Sequence, residues 1–179
     1  MTFTPLCAYN FHMSLTLHPG YLPTAIGRVV ELHARFYSAL VGFGLPFEAR
    51  VARELAEFCE RYDDHRDGLW LLLKDGVVEG SIAIDGAHAK QSGAHLRWFI
   101  VSDKLRGTGA GTALLNAAMD FCDSRQYTRV HLWTFEGLSA ARHLYEKFGF
   151  VLEHQQLGKQ WGNEVCEQRF ERQSGLSPP

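Results

Sequence analysis

The interpretation of this 179-residue chain depends on one stretch, Leu105-Arg106-Gly107-Thr108-Gly109-Ala110-Gly111-Thr112, which we call the glycine turn. It lies between a strand-like apolar run and a segment of helical periodicity. Its three alternate glycines let the backbone approach a ligand closely, because no side chain stands in the way. The free N–H groups and the dipole at a helix start favour an anion, and Arg106 adds a positive charge. A diphosphate suits this chemistry, although a purely structural glycine-rich turn has the same pattern.

Spacing excludes two other phosphate-binding motifs. A dinucleotide-binding fingerprint requires a third glycine at the position that Thr112 occupies. A P-loop requires a lysine before its serine or threonine, and the glycine turn contains no lysine. The anion is therefore not expected to be held in either of these two ways.

Outward from the glycine turn, the hydrophobic pattern predicts a mixed α/β sheet flanked by helices. Asp75-Gly76 predicts a hairpin turn, and residues 86–93 are expected to form a loop. Strands are predicted at 14–18, 69–73, 77–85, 94–101, 130–133, 150–156 and 164–170. Helices are predicted at 23–40, 46–62, 109–124 and 139–148. We expect one domain over residues 14–172, a poorly ordered extension at 1–13 and a flexible tail at 173–179.

Composition excludes several classes of function. Apolar residues make up 46% and charged residues 21% of the chain, which is typical of a globular protein. The net charge of -2 offers no basic surface for nucleic acid, and no run approaches the ~20 apolar residues of a membrane span. The four cysteines and nine histidines form no CxxC, HxH or HExxH arrangement, so no metal site is expected. Free thiols favour a cytoplasmic location.

Two motifs together resemble the GNAT superfamily of acetyltransferases. Residues 106–111 match its Arg/Gln-x-x-Gly-x-Gly/Ala signature, and Ala141-Arg142-His143-Leu144-Tyr145-Glu146-Lys147-Phe148-Gly149-Phe150 resembles its second hallmark. The resemblance covers roughly residues 15–170. Within the superfamily, the chain looks like the acetyltransferase half of MarR-type regulator–acetyltransferase fusions. That likeness rests on His33, Tyr37, Phe47, Glu48, Leu132-Trp133-Thr134 and Glu167-Gln168-Arg169-Phe170.

The resemblance implies a mostly antiparallel sheet of six to seven strands with a splay between strands four and five. Acetyl-CoA, or another acyl-CoA, would lie in this opening as co-substrate. Backbone groups of Phe99, Ile100 and Val101 would then bind its pantetheine arm and the thioester carbonyl. Its diphosphate would bind at the glycine turn, and the start of the helix predicted at 139–148 would also contact the cofactor. The implied diphosphate and helix-start residues are Arg106, Gly107, Thr108, Gly109, Ala110, Gly111, Thr112, Ser139 and Ala141.

Tyr145 matches the family position that donates a proton to the departing CoA sulfur, and it would also contact the cofactor. A phenol with a pKa near 10 is a weaker acid than a thiol near 8.5, so full proton transfer is uphill unless the pKa of Tyr145 is perturbed. Tyr145 would otherwise act by donating a hydrogen bond. A core aromatic beside Leu144 and Phe148 is the structural alternative.

Strand four carries candidates for the general base and for acceptor binding. His95, Arg97, Phe99 and Val101 are expected on one face because side chains alternate along a strand. His95 stands where relatives often carry a glutamate base, and an ordinary histidine pKa near 6.5 suits that role. A packed or solvated histidine is the alternative. Arg97 could bind an acceptor carboxylate or pair with a nearby acid.

The N-terminal helices contribute His33, Tyr37 and Glu48 as candidate acceptor-binding residues, because that region roofs the acceptor pocket in the superfamily. Helix capping, surface pairing or a buried hydrogen bond would explain the same residues without a substrate. One position departs from many relatives, since Leu138 stands where they carry asparagine. Ser139 is expected to cap the helix instead.

These observations lead to an acyl-CoA-dependent N-acetyltransferase that acts on a primary amine in a ternary complex. No acidic run lies near the expected pocket, which favours a small-molecule amine over a basic peptide. Two alternatives stay open, namely a non-catalytic acyl-CoA-binding module and an acyltransferase for a protein or peptide amine. The sequence does not identify the acceptor, the acyl chain or the oligomeric state, and a homodimer is left open.

Overall fold

The computed structural model describes residues 15–174, which form seven strands and five helices. The predictions for residues 1–13 and for the end of the tail lie outside the described residues. The strands are β1 Leu15–Pro19, β2 Gly68–Lys74, β3 Val77–Asp85, β4 Ala94–Val101, β5 Arg129–Phe135, β6 Val151–Gly158 and β7 Val165–Gln173. The helices are α1 Ala25–Val41, α2 Leu45–Glu60, α3 Ala89–Ser92, α4 Ala110–Ser124 and α5 Ser139–Lys147.

The structure differs from the sequence prediction in one loop and at the C-terminal end of the sheet. The expected loop at 86–93 contains the one-turn helix α3, which the sequence pattern did not indicate. Strand β7 runs through Gln173, so the chain is still paired where the tail was expected to begin. Ser174 continues this anchoring, because its N–H donates to the carbonyl of Thr128 and its hydroxyl to the carbonyl of Tyr127.

The seven strands form one mixed sheet in the order β1-β2-β3-β4-β5-β7-β6. All neighbouring pairs are antiparallel except β4 and β5, which confirms the mostly antiparallel sheet. Helices α1 and α2 bury their apolar stripes on one face, around Phe47 and Phe58. Helices α4 and α5 cover the other face, around Leu114, Leu115 and Tyr145. Two separate apolar cores therefore hold the sheet between them.

Strands β4 and β5 separate soon after they meet, which confirms the splay. Only two residue pairs join them, Ala94 with Val130 and His95 with His131. Beyond this closed end, β4 continues to Val101 and β5 to Phe135 without pairing to each other. The edge of β4 that faces β5 is thus left with unpaired backbone groups, which need a partner other than a strand.

A β-bulge interrupts β4 within the splay. The register passes from Ala83 opposite Arg97 to Ser81 opposite Ile100, so two residues of β4, Trp98 and Phe99, oppose one residue of β3. Trp98 has a φ of 47°, which is an outlier for a bulky residue. The buried hydroxyl of Ser81 donates to the Trp98 carbonyl at 2.7 Å and so holds the bulge in place.

The bulge overturns the expectation that His95, Arg97, Phe99 and Val101 share one face. Arg97 reaches Glu54 on α2, whereas Phe99 and Val101 pack against the core on the α4 side. The physical reason is the additional residue, which reverses the alternation of side chains along the second half of the strand. Of these side chains, Arg97 before the bulge therefore faces α2, and Phe99 and Val101 after it face α4.

Candidate active site

Two cavities meet at the splay. The first, of about 600 Å³, lies beside the glycine turn and the start of α5, and we call it the glycine-turn cavity. The second, of about 290 Å³, lies between β4, β5 and the N-terminal helices, and we call it the arginine cavity. Tyr37, Phe99 and Tyr145 line both cavities. These three side chains therefore form the boundary that the two cavities share.

The glycine-turn cavity gathers most of the residues that the sequence assigned to a cofactor. They are Phe99, Ile100, Val101, Arg106, Gly107, Gly109, Ala110, Gly111, Thr112, Ser139, Ala141 and Tyr145. Thr108 is not among the lining residues, because its hydroxyl turns back to donate to the carbonyl of Leu105 at 2.8 Å. Arg106 lies at the rim, where it pairs with Asp103 at 2.7 Å and its guanidinium lies 5.5 Å from the ring centre of Phe36.

The three glycines of the turn serve different purposes. Gly107 and Gly109 have φ values of 73° and 82°, a left-handed conformation that glycine adopts readily. A Cβ added at either position would meet nothing within 4 Å, so both border open space. A Cβ at Gly111 would instead lie 3.0 Å from Leu144 Cδ1 and 3.4 Å from Phe99 Cζ. Gly111 thus permits close packing of α4 against α5, while the other two shape the backbone.

Two helix starts point their free N–H groups at the glycine-turn cavity. Helix α4 has Gly109 as its N-cap and α5 has Leu138, and neither N-cap makes a side-chain hydrogen bond. The expected capping by Ser139 is wrong, because Ser139 is the first helical residue of α5. Uncapped N–H groups and two helix dipoles together favour a polyanion such as a diphosphate. Sequence analysis missed Gly137, Leu138 and Ala140 as lining residues. Their position directly after a strand and before a helix was the available signal.

Tyr145 lies at the junction of the cavities with only 6% of its surface exposed. Its ring lies 5.9 Å from that of Phe99 and 6.1 Å from those of Phe150 and Phe170, measured between centroids. Burial, and after it the neighbouring Tyr37, raises the pKa of Tyr145 well above its ordinary value. Burial also raises the pKa of Tyr37 to about 12. Both phenols therefore stay protonated and can donate hydrogen bonds at neutral pH.

Two arginines share one carboxylate in the arginine cavity. Arg50 Nε donates to Glu54 Oε1 at 2.7 Å, and Arg97 donates to the other oxygen of the same side chain. Arg97 also lies 3.7 Å from Asp85 and stacks 4.1 Å from the ring centre of Trp98. Sequence analysis identified Arg97 but missed Arg50 and Glu54. Their spacing of four residues on a helix was the only signal, and that spacing is common on exposed helix faces.

His95 stacks on His131 at the closed end of the splay, with ring centroids 4.5 Å apart. Burial lowers the pKa of His95 well below 6.5, and the positive charge of Arg97 lowers it further. Burial likewise lowers the pKa of the His131 imidazole, to about 4. The ordinary pKa expected for His95 is therefore wrong, because the side chain is desolvated beside cations. His95 does line the arginine cavity, as a neutral imidazole at neutral pH.

His33 also lines the arginine cavity, and one hydrogen bond determines its tautomer. Its Nδ1 lies 2.8 Å from the carbonyl oxygen of Val29. A carbonyl can only accept, so Nδ1 carries the hydrogen and Nε2 keeps a lone pair. Burial lowers the pKa of His33 to about 4, which keeps this lone pair available at neutral pH. Glu48, by contrast, is exposed in the first turn of α2 and is not among the residues that line the cavity.

Other features of the described residues lie away from the two cavities. Asp63, Asp64 and His65 bring potential metal ligands together in the loop after α2, and none of the three lines either cavity. Among the helices at residues 15–174, none combines the length and the apolar character needed to cross a membrane.

Comparison with known proteins places this geometry in a family. The model of the acetyltransferase (GNAT) family matches residues 28–150. N-acetylaspartate synthetase of Homo sapiens is 28% identical over 137 residues, which cover 70% of this chain and 45% of that protein. The chain thus spans less than half the length of this curated relative.

Solved structures share the fold at low sequence identity. A GNAT-family acetyltransferase from Staphylococcus aureus Mu50 has a TM-score of 0.72 at 15% identity, over 89% of this chain and 99% of its own. An acetyltransferase from Salmonella typhimurium, solved with acetyl-CoA, has a TM-score of 0.70 at 14% identity, over 93% and 98%. Spermidine N-acetyltransferase from Vibrio cholerae, solved with CoA and spermine, has a TM-score of 0.65 at 19% identity, over 89% and 95%. The matched family model, the splayed sheet and the glycine turn agree, and the chain belongs to the GNAT family of acetyltransferases.

Proposed function

We propose that this chain transfers an acetyl group from acetyl-CoA to a primary amine of a small molecule, by direct attack in a ternary complex. The observation that carries the proposal is the meeting of two cavities at Tyr37, Phe99 and Tyr145. One cavity has the chemistry of a diphosphate site, and the other is small and polar. Direct transfer requires both reactants to be bound at once with their reacting atoms adjacent.

The residues of the glycine-turn cavity fit acetyl-CoA. The N–H groups at the starts of α4 and α5 would hold the diphosphate, and Arg106 would add a charge at the rim. The unpaired edge of β4, from Phe99 to Val101, would hydrogen-bond the pantetheine arm. Acetyl-CoA supplies an acetyl group that its thioester activates. A backbone N–H of β4, which the bulge turns out of the regular ladder, would stabilise negative charge on the acyl oxygen.

Side chains in and near the junction would donate a hydrogen bond to the departing sulfur and accept the proton of the amine. Tyr145 would donate a hydrogen bond to the departing sulfur, because its raised pKa opposes full proton transfer. His33 Nε2 and His95 are the lone-pair acceptors that could receive a proton from the amine. His33 and His95 both line the arginine cavity, where we place the acceptor, with Tyr37 and Arg97 as further binding residues.

The similar proteins support a small acceptor. By their names, one relative makes N-acetylaspartate and one structural neighbour acetylates spermidine, and both acceptors are small amines. A cavity of about 290 Å³ lies near the lower end of the usual range for ligand pockets, which is about 300–1,000 Å³. The likeness to regulator–acetyltransferase fusions and the homodimer stay predictions. We also propose a cytoplasmic location, which suits the free thiols of Cys59, Cys122 and Cys166.

An assay of CoA release tests the proposed function. Acetyl-CoA is incubated with the full chain and a panel of amines, amino acids and lysine peptides, and free thiol is measured. At least one small amine should release CoA in proportion to protein concentration, and the N-acetylated product should appear by mass spectrometry. If acetyl-CoA raises the melting temperature and no amine is acetylated, the non-catalytic binding module is the better interpretation. Acetylation of peptides alone would favour a protein acceptor.

A further inference from the structure

We infer that the acceptor carries a carboxylate beside its amine, and that Arg50 and Arg97 bind this carboxylate. The inference rests on the proposed function and specifies its acceptor. It starts from the charges that line the arginine cavity. Those charged side chains are Arg50, Arg97 and Glu54, which together carry one net positive charge. Asp85 is not among the lining residues, and its charge is shared between Arg61, its nearer partner, and Arg97, which lies 3.7 Å away.

The two guanidiniums keep unused donors. Arg50 donates through Nε to Glu54 and through Nη1 to the carbonyl of Gln160 at 2.6 Å. Arg97 donates through Nη2 to Glu54. Over residues 15–174, neither Arg50 Nη2 nor Arg97 Nε has a protein acceptor within hydrogen-bond distance. The side chains are only 34% and 19% exposed, so bulk water competes less for these donors than at an open surface.

A carboxylate satisfies both the charge and the free donors of this arrangement. Planar guanidinium groups bind carboxylates with strong, charge-assisted hydrogen bonds. One added carboxylate would balance two arginines against two anions and leave no net charge in the cavity. The nearby histidines are neutral at neutral pH and contribute no competing positive charge.

A polycationic acceptor is disfavoured by the same charges. It would need free carboxylates for its amines, and Glu54 is the one acid among the described lining residues. Both oxygens of Glu54 already accept from arginine. The remaining wall is largely aromatic, including Phe47, Phe135 and Trp161, and offers no further anion. An amino acid or a similar amino carboxylate matches the cavity better than a polyamine.

Matched acceptor pairs test the inference. Each standard amino acid is compared with its amide, which keeps the amine and the side chain but removes the negative charge. We expect at least one amino acid to have a kcat/KM for CoA release at least about 30-fold above that of its amide. Arg50→Gln and Arg97→Gln should each raise the KM for that amino acid about 10- to 100-fold and change the value for the amide less than about threefold.

The controls separate charge from folding. Arg53→Gln removes the same charge from an exposed position of the same helix, and its KM should stay near that of the unaltered chain. Arg97→Lys should recover part of the loss if charge matters, and circular dichroism verifies the fold of each variant. Amides or simple amines acetylated as well as amino acids would overturn the inference and leave the proposed function intact. Failure of every amine and amino acid, with acetyl-CoA still bound, would overturn both.

Discussion

At the scale of single residues, Tyr145 shows how burial changes a chemical role. Its position in the sequence motif suggests proton donation to the departing sulfur. The structure buries the phenol among Phe99, Phe150 and Phe170, and burial raises its pKa further from that of a thiol. Proton transfer is therefore less favourable than for an exposed tyrosine, whereas hydrogen-bond donation is not impaired. Removal of the hydroxyl should therefore lower kcat by the amount expected for the loss of one hydrogen bond to a charged atom.

Tyr145→Phe tests this role. A hydrogen bond to a charged group contributes about 1.5–3 kcal/mol, which corresponds to a fall in kcat of about 10- to 150-fold. The dissociation constant for acetyl-CoA should stay within a few-fold, because the interaction forms mainly as charge develops on the sulfur. Steady-state kinetics and calorimetry measure the two quantities. Tyr127→Phe is the control, since its hydroxyl bonds to the carbonyl of Arg66 outside both cavities. An unchanged kcat in Tyr145→Phe would make Tyr145 a core aromatic.

At the scale of elements, the glycine turn combines a backbone requirement with a binding surface. Gly109 and Gly20 both have a φ of 82° and open space at the position of a Cβ, but only Gly109 lines the glycine-turn cavity. Alanine should cost about 1–2 kcal/mol of unfolding free energy at either position, because both need a left-handed backbone. Only Gly109→Ala places a methyl group where the diphosphate would approach.

Gly109→Ala should therefore raise the dissociation constant for acetyl-CoA at least about tenfold, while Gly20→Ala leaves it unchanged. Calorimetric titration measures the constants, and urea unfolding measures the stability of both variants. Equal binding by the two variants, with equal loss of stability, would mean that the turn is purely structural.

The bulge of β4 is a second element with a testable function. Ser81→Ala removes the hydrogen bond to the Trp98 carbonyl and leaves that buried acceptor unpaired, which should cost about 1–3 kcal/mol of unfolding free energy. A relaxed bulge should also raise the KM for acetyl-CoA more than it lowers kcat, since the β4 backbone would bind the cofactor. Ser124→Ala is the control, because its hydroxyl makes a bond of the same 2.7 Å length at the exposed end of α4. Normal stability and KM in Ser81→Ala would contradict this role.

At the scale of the whole molecule, buried histidines connect stability to pH. His33 and His131 have pKa values of about 4 in the folded chain, against about 6.5 when exposed. Between these values the unfolded chain binds protons that the folded chain does not. The free energy of unfolding is therefore highest, as far as these two histidines are concerned, above pH 6.5. It decreases as the pH falls from 6.5 towards 4.

The unfolding free energy should be roughly 2–4 kcal/mol lower at pH 5 than at pH 7, as measured by urea denaturation. His33→Asn keeps a donor for the Val29 carbonyl but does not titrate, so its stability should depend less on pH. His65→Asn is the control, since that side chain is 90% exposed and its curve should run parallel to that of the unaltered chain. A stability that stays constant between pH 7 and 5 would refute this account.

Local patterns in the sequence were sufficient to predict much of the fold and the cofactor half of the candidate site. Strand β4 has the predicted limits, Ala94 to Val101, because a short segment rich in apolar and aromatic residues between turns indicates a strand without reference to its partners. The glycine turn and Tyr145 were recognisable for a related reason. Their chemistry depends on residues that are neighbours in the chain, at a strand end and on one helix turn.

The acceptor half of the site was decided by the tertiary structure. Arg97 and Glu54 are 43 positions apart, and only the packing of α2 against the sheet makes them share a cavity with Arg50. The bulge at Trp98 reverses the faces of β4, and it depends on a hydrogen bond from Ser81 on another strand. The lowered pKa of His95 likewise depends on burial and on charges from other elements. Such properties arise from contacts between distant segments, and no local periodicity or propensity encodes them.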